Sequence, residues 1–216
     1  MTPSIRRSVI ALVKLGYYEM TSIVALSVLF WLVSLPLLSV GGAILALFDV
    51  LSSVYTGTGP TGERDRMSSY LQSVRRNVIR GLPLSGVILF VVFNTYWYFA
   101  IGLWGRATQF LLGGIFSVYV ILIGIVSVLR LVNIERQTEV APRQTIRLTA
   151  TSWRQHTHFM ILQSSVVGVI MGISVVFPAA VLCILPAGLT LFEVAAYEEL
   201  TGTDPGTMLA RYGVPE

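Results

Sequence analysis

"SLPLLSVGGAILALFDV", Ser34 to Val50, lies within an apolar stretch that otherwise runs unbroken from Met20 to Tyr55. A bilayer core of about 30 Å takes about 20 helical residues, whereas roughly 36 residues would make a helix of about 55 Å. One upright span cannot hold the stretch. Pro36 has no backbone N–H to donate, and Gly41 and Gly42 tolerate turn conformations, so the chain is able to fold back here. Two readings stay open. Residues 20–55 form either a hairpin of two short helices, re-entrant or set in thinned bilayer, or one kinked and strongly tilted helix. Asp49, on the returning arm, needs its own explanation.

The rest of the chain supports the membrane reading. Hydrophobic residues make up 54%, charged residues 12%, and the mean hydropathy is +0.75, the composition of an integral membrane protein rather than a soluble domain. The net charge of +4 does not indicate nucleic acid, because the arginines sit between apolar runs, where anionic lipid headgroups meet them. A single cysteine, Cys183, offers neither a disulfide framework nor a metal cluster. The first apolar run is too long for a signal-peptide core and lacks a small-residue cleavage site after it, so it is expected to remain as an anchor.

Three further apolar runs follow: Leu82 to Leu103, Phe110 to Leu129, and Phe159 to Ala196. The middle two read as single spans joined by "WGRATQ". The last is again too long, and Pro178 and Pro186 mark its break. With all hairpin tips placed outside, the inner segments collect Arg6, Arg7, Lys14, Arg64, Arg66, Arg75, Arg76, Arg80, Arg130, Arg136, Arg143, Arg147 and Arg154, and only Arg106 falls outside. That is the positive-inside pattern, with both termini cytoplasmic. Tyr96, Trp97, Tyr98 and Trp104 then mark the outer interface, and Tyr17, Tyr18 and Trp153 the inner one.

Basic amphipathic stretches precede the hairpins. In "RMSSYLQSVRRNVIRG", Met67, Tyr70, Leu71, Val74 and Val78 recur at helical spacing beside Arg75, Arg76 and Arg80, which predicts a helix in the headgroup plane. A shift of about 79 residues lays it on "TIRLTATSWRQHTH", matching Met67 to Ile146, Leu71 to Ala150 and Val74 to Trp153. A second echo links "LFDVLSSVYTGTG" to "LFEVAAYEELTGTD", pairing Phe48 with Phe192 and Asp49 with Glu193.

The expected fold is therefore all-α, a polytopic transmembrane bundle of about five to six membrane helices, read as three hairpins each preceded by a basic interfacial helix. One integral membrane domain covers 1–216, divided into a basic arm (1–19), a broken helix or hairpin (20–55), an interfacial helix (64–81), a hairpin (82–133), an interfacial segment (142–157), a hairpin (158–200) and a cytoplasmic tail (201–216).

Asp49 and Glu193 are the acids flanked on both sides by apolar sequence, and ionised groups at such depth usually face the protein interior and find a partner. Arg130 is the expected partner. The cluster Asp49, Glu193 and Arg130 reads either as a proton- or solute-coupled acidic pair, or as a structural ion pair, or as acids close enough to the interface to stay hydrated. "GTGPTG", Gly57 to Gly62, has dinucleotide-fingerprint spacing, but a membrane helix leads into it and no βαβ unit surrounds it. His156 and His158 in "QHTH" have no neighbouring acid or cysteine to complete a metal site. Ser85, Ser127, Ser164, Ser165 and Asn94 suit helix–helix contacts. No nucleophile is paired with a base, and neither catalysis, a cofactor nor a metal is expected.

At "LFWLVSLPLLSVGGAILALFDVL" and "SYLQSVRRNVIRG" the chain resembles the YesL-like family of small prokaryotic membrane proteins, which share a first helix ending in Leu-Pro, small residues opening the second, and a basic segment before the next span. The specific matches lie between Leu29 and Gly81, with "LPAGLTLFEV" compatible. The glycine-rich segment after Tyr55 departs from the densely charged one of the family. The resemblance implies a multi-pass plasma-membrane protein encoded near binding-protein-dependent sugar importers. It therefore implies an accessory role in carbohydrate uptake, with ABC-type transporter subunits as partners. It supplies no catalytic residues. An independent transporter or channel lined by the acids is the alternative.

Overall fold

A computed structural model describes residues 5–56, 58–60, 62–104, 108–138 and 142–201. Every regular element among them is helical: α1 (Ile5–Tyr18), α2 (Met20–Ser34), a short 3-10 turn (Leu37–Ser39), α3 (Val40–Tyr55), α4 (Glu63–Trp104), α5 (Thr108–Thr138), α6 (Pro142–Gln155), α7 (Thr157–Val176), α8 (Pro178–Cys183) and α9 (Leu185–Thr201). Three helices are long and apolar enough to cross a membrane, or up to five if each of two bent pairs is one span. Arg106 and the tail beyond Thr201 lie outside the described residues, as do the side chains of Arg7, Trp104, Arg136 and Arg143.

At the opening stretch the chain turns back. Pro36 ends α2, the 3-10 turn carries Leu37–Ser39, and α3 returns. Arg66 shows the antiparallel course: its guanidinium donates to Glu19 and Ser22 beside the start of α2, and to the carbonyl of Pro60 just beyond the end of α3. Gly41 and Gly42 do not make the turn. They lie in the first turn of α3 and let it touch α4 backbone to backbone, since a Cβ on Gly41 would stand 2.9 Å from the amide nitrogen of Ser85, and one on Gly42 3.0 Å from the Cα of Val78. Small residues at a helix contact permit this approach. Ser85 seals it, accepting from the Gly41 amide at 2.8 Å and donating to the Leu38 carbonyl at 2.8 Å.

The separation of residues 64–81, as an interfacial helix, from a span starting at 82 is not what the structure has. One helix of 42 residues runs through both, with Pro83 inside it. Tyr70 and Val74 lie in the main core with residues of α3. Real elbows occur elsewhere: α1 meets α2 at 90° around Glu19, and α6 meets α7 at 98° around His156. The long last run is likewise three helices, with breaks at Phe177 and Ile184.

The main core joins α2, α3 and α9 around Leu26, Ala46, Leu47 and Leu191, with Tyr70 and Val74 of α4 and Leu129 and Val132 of α5. A smaller cluster of Val126, Val167 and Phe192 is covered by Ile5, Val9 and Leu12 of α1. Beyond these cores the most apolar part of α4 is only 11% buried.

Candidate functional site

Three helices bring polar groups into the core where apolar sequence would otherwise fill it. Arg130 of α5 and Glu193 of α9 form an ion pair, Nε to Oε1 at 2.5 Å, with both side chains essentially inaccessible. Gln163 of α7 bridges them: its Oε1 accepts from Arg130 Nη2 at 2.9 Å, and its Nε2 donates to Glu193 Oε2. An amide suits this place because it carries one acceptor for the cation and donors for the anion. The guanidinium also lies over the Tyr197 ring, 5.2 Å from its centroid, a favourable placement for a desolvated cation. Removing two charges from water is expensive, and these added contacts offset part of that cost.

Asp49 belongs to a different group. Its Oδ2 accepts from Ser73 and from Asn77 Nδ2 of α4, the latter at 2.9 Å, and Asn77 also donates to Ser73 at 3.0 Å. Arg130 and Glu193 are thus in direct contact, while the contacts resolved at Asp49 lead to α4. The echo segments nonetheless keep one feature in common: Phe48 and Phe192, each beside its acid, are fully buried.

Between the two groups, beside the end of α3, lies a cavity of about 550 Å³ lined by Phe48, Asp49, Ser52, Ser53, Thr56, Thr58, Asn133, Val194 and Glu198. Asn133 lies one turn past Arg130 on α5, which carries it to the same face. It is buried, and its Nδ2 has no hydrogen-bond partner among the described residues. The loop with dinucleotide-like spacing starts at this cavity: Thr58 lines it, and α3 rather than a strand leads in. Among the described residues no group of three histidines, cysteines or carboxylates gathers as a metal site.

Several of these residues were not singled out in the sequence, although weak signals existed. Gln163 is an uncharged polar residue early in the run from Phe159 to Ala196, and Ser73 and Asn77 are four apart on one helical face. Asn133 and Glu198 look like ordinary polar residues near helix ends, and only the neighbouring helices make them cavity walls. No protein family, curated protein or solved structure matches the chain.

Proposed function

We propose that the chain is a non-enzymatic, multi-pass plasma-membrane protein, both termini cytoplasmic, that serves a transport assembly as an accessory subunit. The observation that carries this reading is α6. It leaves its helix partner at 98°, buries Thr145 and Thr149, and turns Ile146 and Leu148 outward beside Arg147 and Arg154. Exposed apolar side chains on either side of the inward threonine face, with arginines on the opposite face, suit the headgroup layer of an anionic leaflet or the face of a membrane partner. The three to five apolar helices supply the spans. The engagement of Glu193 with Arg130 and Gln163 favours a structural ion pair over an acid relay. The sugar-importer setting rests on the resemblance of Leu29–Gly81 to the YesL-like family.

The test is mild-detergent purification with mass spectrometry, together with sugar uptake in a deletion strain. Copurifying importer subunits and reduced uptake are expected. A protein recovered alone, with uptake unchanged, would sink the reading. The cavity beside Asp49 favours a second one, an independent small-solute transporter. That reading expects flux in proteoliposomes that is lost in Asp49→Asn; undiminished flux in this variant removes Asp49 from the mechanism.

A further inference from the structure

Past Ser85, where it is tied to the start of α3, α4 runs on through apolar sequence to Trp104. In this half Asn94 is exposed, and its side chain makes no hydrogen bond among the described residues. It stands ten residues from Leu84 and ten from Trp104, about 15 Å along the axis from either, which is the middle of a bilayer core about 30 Å thick. Hydrocarbon offers an amide nothing to bond. Other polar side chains in the apolar helices are satisfied within their own helix: Ser117, Ser127 and Ser165 each donate to the carbonyl four residues back, at 2.8–2.9 Å. Asn94 has no such bond, and an amide at that depth calls for a partner from outside the chain.

The surface around Asn94 has the form of a helix-pairing seam. Val87, Phe90 and Trp97 are exposed with it, at alternating steps of three and four residues, the repeat that keeps one stripe turned toward a second helix. Trp97 is steadied by Phe93, whose ring stacks on it with centroids 6.1 Å apart. On the far side of α4, α5 is already seated, where a Cβ on Gly114 would stand 3.1 Å from the Phe99 ring. The seam is left open. A second copy inserted the same way carries its own Asn94 to the same depth, and an amide is self-complementary, with an oxygen that accepts and a nitrogen that donates. Two such residues across a two-fold axis satisfy one another, and a single asparagine in an apolar seam favours a pair of helices in fixed register.

We propose that the chain forms a homodimer in the membrane through parallel α4 helices, with Asn94 of each copy bonded to Asn94 of the other. This inference rests on α4 being a membrane span and not on the accessory role.

Copies labelled at the N-terminus with a donor or an acceptor fluorophore are reconstituted together in phosphatidylcholine vesicles, and energy transfer is followed as lipid dilutes the protein. Transfer is expected to persist on dilution and to vary with acceptor fraction as a dimer requires. Asn94→Leu, at an exposed position without internal contacts to lose, weakens association by about tenfold, and Asn94→Gln keeps most of it. In a Cys183→Ser background, copper phenanthroline links copies carrying Phe90→Cys in native membranes but not copies carrying Val92→Cys, whose exposed position lies off the seam. A monomer at every dilution, undiminished association in Asn94→Leu, equal linking at positions 90 and 92, or a different protein linked through Phe90→Cys overturns the dimer. Any of these leaves the accessory role standing, and a dimer that recruits no importer subunit loses only that role. Recovery of the chain in the soluble fraction would remove the span and the dimer together.

Discussion

The start of α4 and the whole of α6 are two versions of one pattern with different outcomes. At a shift of about 79 residues, buried Arg66 and Tyr70 correspond to buried Thr145 and Thr149, and buried Ser73 to half-buried Ser152. The same face is inward in both. Yet α6 ends at Gln155 and the chain bends by 98° around His156, whereas α4 passes straight through Asn77, the counterpart of His156, and on through Pro83. The difference lies in the neighbour. Asn77 is held by Asp49 of α3, and four residues later Gly81 abuts the backbone of Gly41 and Gly42. α3 thus splints α4 across the positions where it would otherwise break. Past the elbow, α7 is tied by Gln163 to Arg130 and Glu193. The two stretches share the register of their buried positions; the adjacent helix decides whether the chain continues or bends.

The largest effect is expected where the bent arm is anchored. Glu193→Ala leaves Arg130 buried without its counter-ion, at a cost of about 3–5 kcal/mol in denaturation measured in mixed micelles. A loss below about 1 kcal/mol would mean that the pair is hydrated and does not anchor α7. On the straight arm, Gly81→Leu drives a side chain into the α3 backbone. It should cost roughly 1–3 kcal/mol and shorten the distance between spin labels at the exposed positions Ser68 and Asn94, as α4 gives way near Pro83. An unchanged distance with wild-type stability would refute the splint.

Asp49→Ala removes the acceptor for Ser73 and Asn77, and about 1–2 kcal/mol should go with it. The same labels then report whether position 77 has become an elbow. The smallest change belongs to Ile146→Ser at an exposed position of α6, within about 0.5 kcal/mol, while Tyr70→Ala on α4 costs several times more because its ring is fully buried. A loss for Ile146→Ser comparable to that of Tyr70→Ala would show that this position of α6 is core. In that event α6 and the start of α4 would be the same element after all.

The candidate site was partly legible. Two acids in apolar sequence demand partners because charge in a low-dielectric interior is expensive, and Arg130 was the cation within reach. That reasoning points to the ion pair without assigning it to Glu193 over Asp49. Gln163 and Asn133 escaped it because a single amide in an apolar run carries no periodic signal, and its role depends on what faces it.

The sequence by itself determined the all-helical character, the apolar runs and the break at Pro36, because these follow from side-chain chemistry at helical spacing and from a missing backbone donor. Only the tertiary structure decided that α4 runs unbroken past Pro83, that α6 turns away from α7, and that Asp49 and Glu193 have separate partners. Those outcomes depend on contacts between residues far apart in the chain, where a glycine pair admits a neighbouring backbone or a carboxylate holds the next helix in place.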